Sequence, residues 1–208
     1  MVDVIKVAVV GNTGAGKTSL LLQLTGEYFF EDHQPTIGAD WFVHTITLET
    51  QERVKLQLWD FAGQDLFLTL FRKYYQGVHA IAIVVDSTGT PEETKATLQK
   101  WRNEVRQYAQ EDTKVFVILT KADLRPTPLI TAEDLLHILP DGNNGVYDLP
   151  LFITSAKTGH NVIDTFIAIA LSVKSSAMRR EIELGYVDIT EEPEQPQNMS
   201  TSRCCIIL

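Results

Sequence analysis

Val4-Ile5-Lys6-Val7-Ala8-Val9-Val10-Gly11-Asn12-Thr13-Gly14-Ala15-Gly16-Lys17-Thr18 is the stretch from which the fold is read. Its first half, Val4 to Val10, is a short apolar run rich in β-branched residues, the pattern of a buried strand. Gly11 to Thr18 spells G-x-x-x-x-G-K-T, and the apolar residues Leu20, Leu21, Leu22 and Leu24 then open a helical run. In a strand-loop-helix setting such glycines let backbone N–H groups curl around phosphate oxygens, and the helix N-terminus adds positive potential. Lys17 supplies a full charge there, and the Thr18 hydroxyl is placed to ligate magnesium. Thr13, Gly14, Ala15, Gly16, Lys17, Thr18 and Ser19 are therefore candidate phosphate-binding residues. The loop points to a nucleoside triphosphate and leaves the base open.

Outward from this loop, Ile81 to Val85 and Val115 to Leu119 are further short apolar runs, each bounded by Asp, Gly or Thr, and read as buried parallel strands. Trp41 to Leu48 and Val54 to Trp59 face each other across the polar turn Glu49 to Arg53, which predicts an antiparallel pair. Leu98, Trp101, Val105 and Tyr108, and again Val162, Phe166, Ile169 and Val173, recur at helical spacing. A further helix is expected near Thr131 to Leu139, and Asp141 to Asp148 reads as a surface loop. Alternating strands and helices predict an α/β domain with helices on both faces and its chemistry in the strand-to-helix loops. From about Gly185 the apolar pattern stops in an acidic, Pro-containing stretch, so residues 1–184 are expected to form one domain and 185–208 a disordered tail.

Composition limits the function classes. A length of 208 residues suits one core plus a tail, and a formal charge of -9 repels phosphate polymers, which argues against nucleic-acid binding. The only cysteines, Cys204 and Cys205, are adjacent and cannot staple a distant loop, so nothing suggests an oxidising compartment. Neither a basic, apolar leader nor a membrane-spanning apolar run is legible, and a cytosolic chain is expected.

Three further features extend the phosphate site. Asp60 ends a strand and can hold magnesium through water, although a lone Asp there is more often a cap. Gly63 permits close backbone approach to a terminal phosphate, and Gln64 can orient an attacking water, with a plain surface glutamine as the alternative. Thr36, in the loop Pro35-Thr36-Ile37-Gly38 after Asp32 and His33, can bring its hydroxyl to magnesium when that phosphate is present.

The order G-x-x-x-x-G-K-T, P-T-I-G, W-D-F-A-G-Q, T-K-A-D and T-S-A-K resembles the Ras superfamily of small GTPases over nearly all of residues 4–180. Ile37 to Trp41, Lys55 to Ala62, Tyr74 to Val78 and Val84 to Thr88 are similar to its Rab branch; a Rho- or Ras-like signalling GTPase is the alternative. The resemblance implies a P-loop GTPase fold, with a mostly parallel six-stranded sheet, one antiparallel strand and helices on both faces. It implies GTP and GDP with Mg2+ as ligands. Thr120, Lys121 and Asp123 then correspond to the guanine-reading loop, and Ser155, Ala156 and Lys157 to a second one, with Phe29 against the base. An Asp123 carboxylate facing guanine's N–H donors would be left unpaired by adenine, which gives the discrimination a physical basis. Trp41, Trp59 and Tyr74 align with the aromatic trio of an effector surface, Trp59 being equally readable as core. A guanine-nucleotide exchange factor, a GTPase-activating protein, GTP-dependent effectors and a prenyl-binding escort or dissociation inhibitor are the implied partners of a monomer.

The chain ends Arg203-Cys204-Cys205-Ile206-Ile207-Leu208, a C-a-a-X box that favours geranylgeranyl, while two adjacent cysteines resemble the doubly prenylated ends of Rab proteins. One lipid binds membranes only marginally and the tail has no polybasic patch, so both Cys204 and Cys205 are expected to carry lipid on the cytosolic face of a membrane. Four residues depart from the resemblance: Thr120 where Asn is usual, Phe61 for Thr, Asp65 for Glu, and Thr13 in the phosphate loop. Thr120 bears on base affinity, whereas the other three bear on hydrolysis more than on binding and leave open a GTP-bound adaptor with negligible hydrolysis. A P-loop enzyme using ATP is disfavoured by Asp123.

Overall fold

The computed structural model describes residues 3–30, 35–63, 72–125 and 150–183, with side chains to residue 177. Its elements in chain order are β1 (Asp3–Val10), α1 (Lys17–Thr25), β2 (Ala39–Thr47), β3 (Arg53–Phe61), a 3-10 turn (Arg72–Tyr75), β4 (Ala80–Asp86), α2 (Pro91–Tyr108), β5 (Lys114–Thr120), β6 (Leu151–Ile153) and α3 (Val162–Glu183). The strands form one six-stranded sheet in the order β2-β3-β1-β4-β5-β6, parallel except for the antiparallel β2·β3 pair. This is the α/β fold expected from the sequence. The chain leaves β1 toward β3 on one side and returns on the other as β4, so the crevice beyond the carboxyl ends of β1 and β4 is where such a sheet receives a ligand.

Side-chain alternation divides the core. Ala80, Ala82 and Val84 of β4 pack with Leu20, Leu21 and Leu24 of α1 and with Val162, Phe166 and Ile169 of α3. Ile81, Ile83 and Val85 point the other way, onto Leu98, Trp101 and Val105 of α2. Helices thus cover both faces, which explains why the central strands are near-continuous apolar runs. The Thr90 hydroxyl of α2 accepts from the Glu93 N–H at 3.2 Å, the Thr90 N–H donates to the Glu93 carboxylate at 2.9 Å, and Pro91 sits in the first turn. The β2–β3 turn runs one residue earlier than its polarity indicates: Leu48 N–H donates to Glu52 O at 2.8 Å, so buried Leu48 belongs to the loop. Contacts define two compact units, residues 1–173 and 174–208, the division falling within α3. The helix expected at 131–139, the loop at 141–148 and the tail from 185 lie outside the described residues.

His79, just before β4, ties the head of β1. Its backbone N–H donates to Lys6 O at 2.9 Å, and its ring Nδ1 accepts the Lys6 N–H, also at 2.9 Å. An accepting Nδ1 cannot carry a proton, and burial, with the Lys6 charge, holds the ring below the ordinary histidine range against the opposing pull of Asp112. The unfolded ring, at about 6.5, binds a proton more readily, so this contribution to stability is full above that pH and is lost as pH falls below it. His79→Asn retains an acceptor without the titration. Thermal midpoints measured from pH 7 to pH 5 are expected to fall less steeply in the variant than in the parent; equal slopes would remove His79 as the acid-sensitive tie.

Candidate functional site

The loop between β1 and α1 wraps around its own lysine. Gly16 caps α1 at φ 88°, a left-handed conformation that a side chain resists, and lets the helix begin directly at Lys17. The Lys17 ammonium, with the residue 6% exposed, donates to Gly11 O and Asn12 O at 3.0 Å each. Burial lowers its pKa to about 8, with the nearby Asp60 charge pulling the other way. A cation held in this way against a loop of backbone N–H groups favours an anion in front of it.

Asp60, at the end of β3, is fully buried, and Thr18 and Thr36 converge on it. The Thr18 hydroxyl donates to Asp60 Oδ2 at 2.5 Å, the Thr36 hydroxyl lies 3.4 Å from the same oxygen, and the two hydroxyls are 2.9 Å apart. Burial raises the Asp60 pKa, opposed by the Thr18 bond and the Lys17 charge. Its other oxygen, Oδ1, is buried without a hydrogen-bond partner. An orphaned carboxylate oxygen beside two hydroxyls is an all-oxygen donor set, which fits a hard divalent cation such as magnesium. Among the described residues no three His, Cys, Asp or Glu side chains cluster as a metal cage; Thr18, Thr36 and Asp60 are the residues that would hold such a cation.

Both groups open onto one cleft of about 460 Å³, within the range of small-molecule sites. Thr13, Gly14, Gly16, Lys17, Thr18 and Ser19 line it, with Thr36 and Gly63. Phe29, Thr120, Lys121, Asp123, Ala156 and Lys157 line it as well. Ala15 and Ser155 stand behind the wall: Ala15 O accepts from the Thr120 hydroxyl at 2.6 Å, and the Ser155 hydroxyl donates to Asp123 Oδ1 at 2.6 Å. That bond aims a carboxylate into the cleft. Lys121, at φ 61°, bonds Asp86 at 2.6 Å; burial raises the Asp86 pKa, but the Lys121 and Thr88 hydrogen bonds outweigh it and the net shift is downward. Phe30 and Leu124 also line the cleft and escaped the sequence reading, although each adjoins a residue that it singled out, and Pro35 of the P-T-I-G stretch lines it too.

The Ras family profile matches residues 6–175. The chain belongs to the Ras family. It is 31% identical to the GTP-binding protein YPTM2 of Zea mays, over 96% of this chain and 95% of that one. It is also 31% identical to the GTP-binding protein YPT1 of Saccharomyces cerevisiae, over 94% and 89%, and 28% identical to the Ras-related protein RABD2c of Arabidopsis thaliana, over 96% and 95%. The Rab-like resemblance read from the sequence is therefore borne out.

In this Ras family chain the unusual residues have visible consequences. Phe61 is buried among Ala8, Val10 and Tyr75, with its ring 6.0 Å from Tyr74 and 6.4 Å from Tyr75. Thr120 offers one hydroxyl proton to two carbonyls, Ala15 O at 2.6 Å and Val85 O at 3.1 Å. Trp59 is half-buried, packed against the α2-side core and tilted between the rings of Trp41 at 6.4 Å and Tyr74 at 5.4 Å, so it is neither plain core nor plain surface. Trp41 is 54% exposed and Ile37 87%. Gln64, Asp65, Cys204 and Cys205 lie outside the described residues, as do Asp32 and His33.

Gly63 packs its Cα directly on the phosphate loop: a Cβ there would collide with the backbone of Gly11, Asn12 and Thr13. Gly63→Ala is expected to cost about 1 to 3 kcal/mol, since backbone cannot yield as a side chain can. The thermal midpoint should fall by several degrees. Gly89→Ala, whose Cβ would meet Glu93 and Thr94 side chains at 3.4 Å or more, is the control expected to stay near the parent.

Proposed function

We propose that this chain is a guanine-nucleotide switch that binds GTP and GDP with magnesium, hydrolyses GTP to GDP and phosphate, and acts as a membrane-tethered, Rab-like regulator of vesicle trafficking. The observation that carries the reading is that the phosphate loop, Thr18 and Thr36 with buried Asp60 behind them, and Asp123 come together at one cleft. Magnesium, when bound, offsets phosphate charge as a Lewis acid. Lys17 and the loop N–H groups would hold the phosphates, and Thr18, Thr36 and Asp60 would hold the cation. Thr36 draws its loop toward Thr18, and release of the terminal phosphate frees that loop, changing the surface that carries Ile37 and Trp41. Gln64 orients the attacking water. No arginine lines the cleft among the described residues, so intrinsic turnover is expected to be slow, on the order of 10⁻⁴ to 10⁻² per second, until an activating protein supplies one.

Residues 1–184 act as the nucleotide domain and 185–208 as the tether, with lipid on Cys204 and Cys205. Exchange factor, activating protein, effectors and a prenyl-binding escort follow from that cycle, with Trp41, Trp59 and Tyr74 as the effector-facing trio. One observation favours a second reading, a GTP-bound adaptor that hardly turns over: Phe61, which stands three residues before Gln64 in the sequence and where the resemblance has Thr, is buried in the core. Single-turnover phosphate release, measured beside Gln64→Leu after guanine competition is established, separates the two. Slow release abolished by the variant supports the switch, and tight GTP binding with no release from either protein supports the adaptor.

Base choice has its own test. Removing the Ser155 hydroxyl leaves Asp123 Oδ1 without the donor 2.6 Å away. Ser155→Ala is expected to weaken GDP binding about tenfold while leaving inorganic pyrophosphate competition unchanged, since a hydrogen bond to a charged group is lost only at the base end. Equal loss of both in competition titrations would mean that Asp123 does not read the base.

A further inference from the structure

Asn12 occupies a free position of the G-x-x-x-x-G-K-T pattern, so the motif itself asks nothing of its side chain. Yet α2 holds that side chain from both ends. The Trp101 Nε1–H donates to Asn12 Oδ1 at 2.9 Å, and the Asn12 Nδ2–H donates to the Thr97 hydroxyl at 3.2 Å. Indole N–H is donor only, so the amide must turn its oxygen to Trp101 and its nitrogen to Thr97, which fixes its orientation. The backbone of the same residue does equal work in the loop: Asn12 O accepts from Lys17 Nζ at 3.0 Å and from Ala15 N–H at 3.2 Å. Its carbonyl carbon is also among the atoms on which Gly63 packs.

We propose that Asn12 is a positioning residue for phosphate binding, clamped by Trp101 and Thr97 so that α2 sets how firmly the loop grips its ligand. This rests on the nucleotide reading of the site. A loop containing Gly11, Gly14 and Gly16 loses much backbone entropy when ordered, and pre-ordering it lowers the cost met on binding. Trp101 is a rigid anchor for that purpose, being 1% exposed in the core between α2 and the sheet. The clamp also reaches beyond the loop. Thr97, Trp101, Glu104 and Tyr108 recur at intervals of four, three and four, one stripe of the helix. Glu104 receives the Arg72 guanidinium at 2.9 and 3.1 Å, and Tyr108 lies under it at 4.0 Å. One face of α2 thus holds the phosphate loop and the turn that follows residues 64–71.

The test is the release rate of a fluorescent GDP analogue from the full-length magnesium-loaded protein, chased with unlabelled GDP, beside thermal midpoints. Asn12→Ala, Trp101→Phe and Thr97→Val each remove hydrogen bonds while keeping most packing, and should speed release, Asn12→Ala by about tenfold. The double variant Asn12→Ala/Trp101→Phe should release no faster than Asn12→Ala alone, because the indole acts through Asn12. Val105→Ala, a buried α2 residue that makes no such contact, should lower the midpoint and leave release unchanged. Unchanged release in Trp101→Phe, multiplicative rates in the double variant, or equal acceleration by Val105→Ala would overturn the clamp. Failure of the parent to retain the analogue would instead remove the nucleotide reading beneath it.

Discussion

A buried ammonium must find acceptors, and Lys17 finds them in the carbonyls of the loop that leads to it. Those carbonyls point at the lysine only if the loop doubles back, and within it the Ala15 N–H donates to Asn12 O at 3.2 Å. The same charge lies near Asp60 and partly offsets the cost of burying that carboxylate. Asp60 in turn collects Thr18 from the start of α1 and Thr36 from the segment before β2. Three pieces of chain, residues 11–18, the segment of Thr36 and the end of β3, are therefore gathered around one cation, and the cleft lies beside them.

The sheet supplies rigidity, and parallel pairing brings the carboxyl ends of β1, β4 and β5 to one rim. At that rim Thr120 reaches the phosphate loop, Lys121 reaches Asp86, and Ser155 holds Asp123. Thr120 has a single proton for two carbonyls, so one contact is always the weaker, and the link between β5 and the phosphate loop is looser than a two-donor side chain would make it. The direct opposition of Trp41 and Trp59 across β2·β3 sets the first pair of the aromatic row by strand register, and the 3-10 turn adds Tyr74.

Much of this was legible before any coordinates. Buried strands such as Ile81 to Val85 announce themselves because both faces are covered, and the phosphate loop because its chemistry demands glycines and a lysine at fixed spacing. Thr18, Thr36 and Asp60 could each be named from their place at a strand end or in a loop, although only the fold shows them within hydrogen-bond reach of one another. β6 gave no periodic signal, since its residues, Leu151 to Ile153, are all half-buried. The Trp101–Asn12 bond was invisible because it joins positions 89 apart and Trp101 reads as an ordinary core residue. Trp59 resisted a choice between core and surface because it is half-buried.

Among the described residues the sheet ends in two unlike edges. β6 is three residues long and offers little to a newcomer, whereas β2 runs from Ala39 to Thr47 as the outermost strand. Its sequence holds no proline and no lysine, the residues that commonly blunt an edge against strand addition, and Trp41 and Val43 are exposed along it. Asp40 puts one charge on that border, and a net charge of -9 adds long-range repulsion between copies. Colloidal behaviour becomes a matter of ionic strength: in dilute salt the molecules repel, and in concentrated salt the screening length contracts below the distance at which the edges meet.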